Sequence, residues 1–471
     1  MADDTEDACV RNLRMAITTQ RDGSHLTRLT ALRQLADSAS RPLFQHLLDH
    51  QDWQVQVHSV LALAELNDPK RIDPDQIDTL DQLAQEAVIA NGLDLDLFET
   101  QDLLQLAVDE RLAPLSRLLV IGELLQLDQP VPVPELEAWS TNANLRIAAM
   151  ASCHLAKLGN AGSLNTFSNQ LSGLSKNEQI QNLLLALEII RQYEVTPAVN
   201  WIMAILESSP HPQVEYRAVL TLIALDLPLG LKAWREHLGE DPSHRQAVRY
   251  GLLLLASGAD VPASTFDAID PQDDDLLKSI VALGRARAEH DRMASCYIEL
   301  LGQAHRGTVQ WAMNSLEEID ADVASDVYRS LLDQLEADPK IRSLKTSLAV
   351  RAASEFAKIH LEEILDRLRR AEDDGVFQQA ILLALFDVND ARIGPASSEL
   401  RRIGSGRPDS LTLLLMAKHL PRLSTKDLKA LGLVVASGGG VSDPLQTQAS
   451  WFYLKHTGVL EPTLTTILNE E

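Results

Sequence analysis

The stretch Val55 to Leu66, VQVHSVLALAEL, sets small or apolar residues at Val55, Ser59, Leu63 and Leu66, in steps of four, four and three. That spacing puts all four on one side of an α-helix. The stripe returns at Leu145, Ala149, Cys153 and Ala156; at Val214, Ala218, Leu222 and Leu225; at Thr308, Ala312, Leu316 and Ile319; at Leu348, Ala352, Phe356 and Ile359; and at Leu445, Ala449 and Tyr453. Its second position is small each time, so a neighbouring helix can come close. A single helix pair cannot hide such a stripe, and a chain that repeats it is expected to stack pair on pair. Second-helix anchors at Leu145, Ile180, Val214, Ala247, Leu277, Thr308, Leu348, Val376, Leu411 and Leu445 recur at a mean of about 33 residues, a period of helix-pair repeats.

The apolar load supports an all-α chain. Hydrophobic residues make up 45% of 471, but aromatics only 4%, so Leu and Ala, both strong helix formers, carry it. Period-two alternation is scarce. No apolar run reaches the ~18 residues of a membrane span, and the acidic start MADDTEDACV lacks the pattern of a secretory signal. A cytoplasmic protein that does not enter membranes is expected. Three cysteines, Cys9, Cys153 and Cys296, are too few and too scattered for a disulfide framework; Cys153 and Cys296 fall on apolar stripes.

The net charge of −25 repels nucleic acid and anionic lipid at long range. It is unevenly spread. Val60 to Ser140 holds 4 basic and 17 acidic residues, whereas Arg367 to Lys429 holds 11 basic and 8 acidic. Asp128 to Ala138, DQPVPVPELEA, has three prolines at alternate positions and reads as an extended break, with Pro134 opening a helix. The organisation expected is therefore an acidic set of helical repeats over 1–130 and a longer array over 131–471, or one continuous array. In the first part, helices are expected over Leu26 to Ala36, Pro42 to His50, the Val55 stretch, Asp73 to Ala90 with a break at Asn91-Gly92, Leu97 to Val108 and Pro114 to Leu127.

VQVHSVLALAEL from Val55, NLRIAAMASCHLAKLG from Asn144, PQVEYRAVLTLIAL from Pro212 and SLAVRAASEFAKI from Ser347 give the chain a resemblance to the HEAT-repeat superfamily. Repeats of that family begin the second helix with Asp, then Val-Arg. Asp52 and Val55 follow the pattern, but Gln56 stands for the arginine. Leu145-Arg146 keeps the pair, with Asn142 at the aspartate's place, and Val214-Glu215 inverts the charge. The resemblance implies an α-solenoid, a curved superhelix whose second helices line a concave face that binds protein, less often nucleic acid or a modified peptide.

Signals for chemistry are few. HLLDH, His46 to His50, places two histidines four residues apart, a zinc-site spacing when both share a helix face. The glutamate base of that motif is replaced by Leu47, and His58 is the only further ligand in view. No histidine is followed by Glu, as iron-binding HEAT-like hydroxylases require; His290-Asp291 comes nearest. An EF-hand loop from Asp73 fails at Asp78 and Ala84. The glycine-rich stretches Gly404 to Asp409 and Ser437 to Pro444 lack a phosphate loop's Lys-Ser/Thr ending. Arg367, Arg369, Arg370, Arg401, Arg402 and Arg407 form a basic strip, read as a solvated face, and Glu215 is read as an exposed side chain. The sequence thus points to a non-catalytic scaffold or adaptor for a protein partner, with no catalytic residue, metal ligand or cofactor assigned. The alternatives are a HEAT-like lyase or chaperone using the groove for a small molecule or peptide, and a nucleic-acid-associated factor.

Overall fold

The computed structural model describes residues 2–18, 23–208, 211–240, 242–257, 261–271, 274–286, 325, 328–330, 332–333, 336–337, 346–370, 375–386, 388, 390–403, 410–436 and 443–470. The expected stripe from Thr308 to Ile319, Cys296, His290-Asp291, Arg407 and the stretch Gly404 to Asp409 lie outside them, as do the side chains of Leu348, Ala352, Arg401 and Arg402. Among the described residues the protein is all-helical, with no strand, and no helix is long and apolar enough to cross a membrane.

The chain divides into two compact units, Met1–Phe98 with Leu331–Glu471, and Glu99–Ser330. The first unit holds α1 (Ala2–Ile17), α2 (Ser24–Arg33), α3 (Arg41–His46), α4 (Trp53–Glu65), α5 (Pro74–Ile77) and α6 (Gln82–Asp94). The second holds α7 (Thr100–Val108), α8 (Pro114–Gln126), α9 (Val133–Trp139), α10 (Leu145–Lys157), α11 (Gly162–Leu171), α12 (Lys176–Gln192), α13 (Val199–Glu207), α14 (Pro212–Leu225), α15 (Leu227–Leu238), α16 (His244–Ala256) and α17 (Asp275–Ala286). The rest of the first unit is α18 (Thr346–Arg370), α19 (Gly375–Phe386), α20 (Ile393–Ile403), α21 (Ser410–His419), α22 (Thr425–Ala436), α23 (Asp443–Thr457) and α24 (Leu460–Glu470).

Local chemistry starts and stops these helices. Asp52 caps α4 by accepting the Gln54 N–H at 2.9 Å, and Asp81 caps α6 through the Ala84 N–H at 2.9 Å. The helix expected over Asp73 to Ala90 is therefore two, because Asp73 and Asp81 each cap a start. The cap of α10 is Asn144, not Asn142: Asn144 Oδ1 accepts the Arg146 N–H at 3.0 Å, while Asn142 accepts from Asn144 one turn outside. The break expected at Asn91-Gly92 is absent, and α6 runs on to Asp94. Gly92 serves packing there, since a Cβ would stand 2.4 Å from the Phe98 ring. α18 is two helices joined at His360, whose φ of −125° and ψ of 51° break the ladder. Ile359 ends the first of them and is 57% exposed, so the stripe there stops at Phe356.

The centre of each remaining stripe is buried: Val55, Ser59, Ala149, Cys153, Ala156, Val214, Ala218, Leu222 and Ala449. The burial is wider than a stripe. On α10 every residue from Ile147 to Ala156 is buried, and on α21 every residue from Leu411 to Ala417. The reason lies in the neighbours. α10 touches α8 and α12 on its flanks and α9 and α11 besides, and α14 sits likewise among α12, α13, α15 and α16. A helix covered on all sides loses its polar face.

In the first unit this packing passes through the chain's two ends. α19 touches α21, α21 touches α23, α23 touches α2, α2 touches α4 and α4 touches α6. α23 also packs on α1, α22 packs on α1, and α24 packs on α1 and α3. The first and last helices of the chain are thus neighbours in one compact body.

Candidate functional site

The paired histidines do not form a ligand pair. α3 ends at His46, a 3-10 turn covers Leu47–Asp49, and His50 is extended with φ −66° and ψ 145°. A 3-10 turn advances about 120° per residue against 100° in an α-helix, so the shared helix face that HLLDH suggested is lost. His50 Nδ1 accepts the Asp52 N–H at 3.0 Å, and its carbonyl accepts Gln56 Nε2 at 2.8 Å. His50 is thereby part of the turn into α4. An open depression of about 680 Å³ lies beside it, lined by Ile17, His46, Asp49, His50 and Asp52. Among the described residues no three His, Cys, Asp or Glu side chains are grouped to hold a metal ion.

Three titratable groups inside the helical layers, His154, Cys9 and Cys153, are kept neutral. His154 is fully buried on α10; burial pulls its pKa down to about 4. Its Nε2 stands 3.0 Å from the Leu118 carbonyl. A carbonyl can only accept, so Nε2 carries the proton and the ring is neutral. Nδ1 is buried without a hydrogen bond, and the ring meets Tyr193 edge-on at 5.0 Å. This histidine fastens α10 to α8. The Cys9 thiol is pushed up to about 12 by burial, and the Cys153 thiol is also raised by burial, so both are protonated and unreactive at neutral pH.

One residue of the basic strip folds inward, while Arg370 stays exposed. Arg367 is buried and meets Asp333 at 2.7 Å, Glu336 at 3.0 Å and Glu363 at 2.9 Å. Arg369 meets Asp366 at 2.6 Å, and Arg370 Nε donates to the Asp366 carbonyl at 3.3 Å. Adjacent arginines on one helix were read as a solvated face; Arg367 instead ties α18 to the acidic residues around it.

A further polar cluster that the sequence missed centres on Glu215. It is half-buried, and its Oε1 accepts from the Tyr250 hydroxyl and lies 3.3 Å from His237 Nδ1. The Tyr250 hydroxyl is raised by burial and by that carboxylate. Arg249 lies over the Tyr216 ring at 5.0 Å and donates to the Pro212 carbonyl. Glu215 therefore joins α14 to α15 and α16. Its position after Val214 gave no sign of this, because Tyr250 and His237 lie on later helices.

Each unit has accessible apolar surface. In the second unit a groove of about 350 Å³ runs between α11, α12 and α13, with Leu171, Leu183, Trp201, Ala204 and Ile205 as its apolar lining and Ser168 and Gln179 at its rim. α12 has 17 residues, more than α10 or α14 beside it, and its first turns leave Ile180, Leu183 and Leu184 only half-covered. Trp201 is held in the wall by its Nε1 donating to Ser168 Oγ at 2.9 Å. In the first unit α6 exposes Leu83, 58% accessible, near the acidic residues Asp78, Asp81 and Glu86. No family model, no curated protein and no solved structure matches this chain.

Proposed function

We propose that this protein is a non-catalytic scaffold that binds a protein partner, built as an α-solenoid of HEAT-like helix pairs. The observation that carries the reading is the packing of alternate helices, α8 on α10, α10 on α12, α12 on α14 and α14 on α16, around small buried residues at Ala149, Cys153 and Ala218. α10 and α14 are enclosed by their neighbours, so partner binding falls to what the pairs leave open between them. The groove beside Trp201 offers an apolar floor and neutral polar rims without a charged group in its lining, which suits side chains of another protein. His50, which the sequence offered as a metal ligand, is engaged in the turn into α4, and Arg367 of the basic strip in helix contacts.

Affinity capture of the full chain under mild cross-linking tests this. Ala204 is exposed in the groove, so Ala204→Arg fills the groove without disturbing a core. The wild type is expected to retain a reproducible partner, and Ala204→Arg to lose most of it. Recovery of the same partner at the same level with Ala204→Arg removes the groove from the reading. A copurifying metal, small molecule or nucleic acid in place of a partner protein overturns the scaffold itself.

A further inference from the structure

We propose that the seam between the chain's first helices and its last, α1–α3 against α22–α24, is a reversible clasp that opens and closes as one unit. Its basis is the chemistry of the seam, which differs from that of the helices α4 and α21 in the same unit.

The buried run of α23 holds Gln446, Thr447, Gln448 and Ser450. The matching run of α21, Leu411 to Ala417, has one such residue, Thr412, and that of α4, Ser59 to Ala64, has Ser59 alone. Parting α21 from its neighbours would wet leucines at about 25 cal/mol for each Å². Parting α23 from α1 and α2 would wet Trp451, Leu13 and Leu29 too, but it would also free amides and hydroxyls, which exchange one partner for water at small net cost.

The bonds across the seam fit the same picture. Asn12 Nδ2 donates to Ser450 Oγ at 3.0 Å, and Gln448 Nε2 donates to the Ala31 carbonyl at 3.1 Å. Arg28, 3% exposed, donates to Thr447 Oγ1 at 3.2 Å and meets Asp443 at 2.9 Å. Asp37 receives the Trp451 Nε1 hydrogen at 2.9 Å and Lys455 Nζ at 2.6 Å. A buried tryptophan and a buried arginine, each fixed by a carboxylate, inside a hydrogen-bonded frame are the anchors of interfaces between separate proteins. Asp443 and Lys455 are both about half exposed, so water already stands at the edge of the seam. The residues joined lie more than four hundred positions apart, and the seam closes contacts that no local turn enforces.

Hydrogen-exchange mass spectrometry on the full chain decides the matter. Residues 2–33 and 443–457 are expected to exchange in one correlated step, at least about tenfold faster than α4 and α21. Asp37→Asn is expected to speed that step about tenfold at both ends and to leave α8 to α16 unchanged. Lys455→Gln, a surface change that spares the fold, is expected to act in the same direction by about threefold. Protection at the seam equal to that of α4 and α21 overturns the clasp. So does independent exchange of the two ends, which is fraying, or an effect of Asp37→Asn confined to its own neighbourhood.

Discussion

α10 and α23 occupy the same kind of place, each enclosed by helices on several sides, yet they are buried by different means. α10 fills its surroundings with Ala148, Ala149, Ala151, Cys153 and Ala156 and admits one large polar group, His154. α23 carries two glutamines, a threonine and a serine into its surroundings. The neighbours of α10 are close in sequence, so shape alone finds them at little entropic cost. The neighbours of α23 on α1 and α2 come from the other end of the chain, where many apolar surfaces compete, and directed hydrogen bonds with an Arg28–Asp443 pair select the right one. Among the described residues, α10 is thus enclosed almost wholly by apolar groups, whereas α23 adds directed polar bonds to the buried Trp451 and Leu454 where its neighbours are distant in sequence.

Acid should separate the two regions most. His154 has a folded pKa of about 4 against 6.5 in a free side chain. Between those values the unfolded chain holds the extra proton, so stability is full above pH 6.5 and falls as pH drops toward 4. The loss is on the order of 3 kcal/mol. His58 and His419 in the first unit are lowered by burial as well and add to it there. At the seam, burial pushes the Asp37 carboxyl up, but the hydrogen bonds from Lys455, Trp451 and Ala39 outweigh it and hold it below its usual 3.8. That contribution is present above pH 3.8 and is lost only below it. Thermal unfolding at pH 7 and pH 5 should show the fall, and His154→Gln should flatten it. An unchanged slope in His154→Gln would assign the acid sensitivity to other groups.

Steric change should strike the apolar region and electrostatic change the polar one. Ala218 is fully buried between α14 and its neighbours, so Ala218→Leu should cost roughly 2–3 kcal/mol in chemical denaturation. Arg28→Ala removes the seam's buried charge. Its partner Asp443 is half exposed and can be taken up by water, so the cost should be about 2 kcal/mol, below that of a pair buried on both sides. If Arg28→Ala destabilised more than Ala218→Leu, the seam would be a core and not an interface.

How far the sequence revealed this molecule follows the same division. The stripe at Val55, Ser59 and Leu63 and those at Ala149 and Ala218 gave the helices and their buried centres, because periodicity reports on local structure. The width of burial on α10 could not be read, since it depends on how many helices surround it. Nor could the seam: Gln446, Thr447 and Gln448 look like a solvated face until α1 and α2 arrive from the far end. HLLDH misled because a 3-10 turn shares its composition with an α-helical one. Of the surfaces now open to a partner, the sequence marked only Ile180 of α12, as a repeat anchor, and not the groove beside it.

The smallest of these effects tests the rule where it is weakest, at Glu215. This residue lies on α14, inside the apolar region, yet it is bound by a tyrosine and a histidine from α15 and α16. If polar bonds matter chiefly where the chain is not local, losing this one should cost little, because α14, α15 and α16 are consecutive and held by Trp234, Tyr250 and Leu254 in their cores. Glu215→Ala removes the acceptor of the Tyr250 hydroxyl, but Glu215 is itself partly exposed and water can take its place, so the expected loss is about 1 kcal/mol. Glu215→Gln keeps an acceptor for Tyr250 and should cost less than Glu215→Ala. A loss from Glu215→Ala that matched Arg28→Ala in the same denaturation series would mean that directed bonds hold neighbouring helices as firmly as distant ones. The contrast between α10 and α23 would then reflect local sequence and not chain distance.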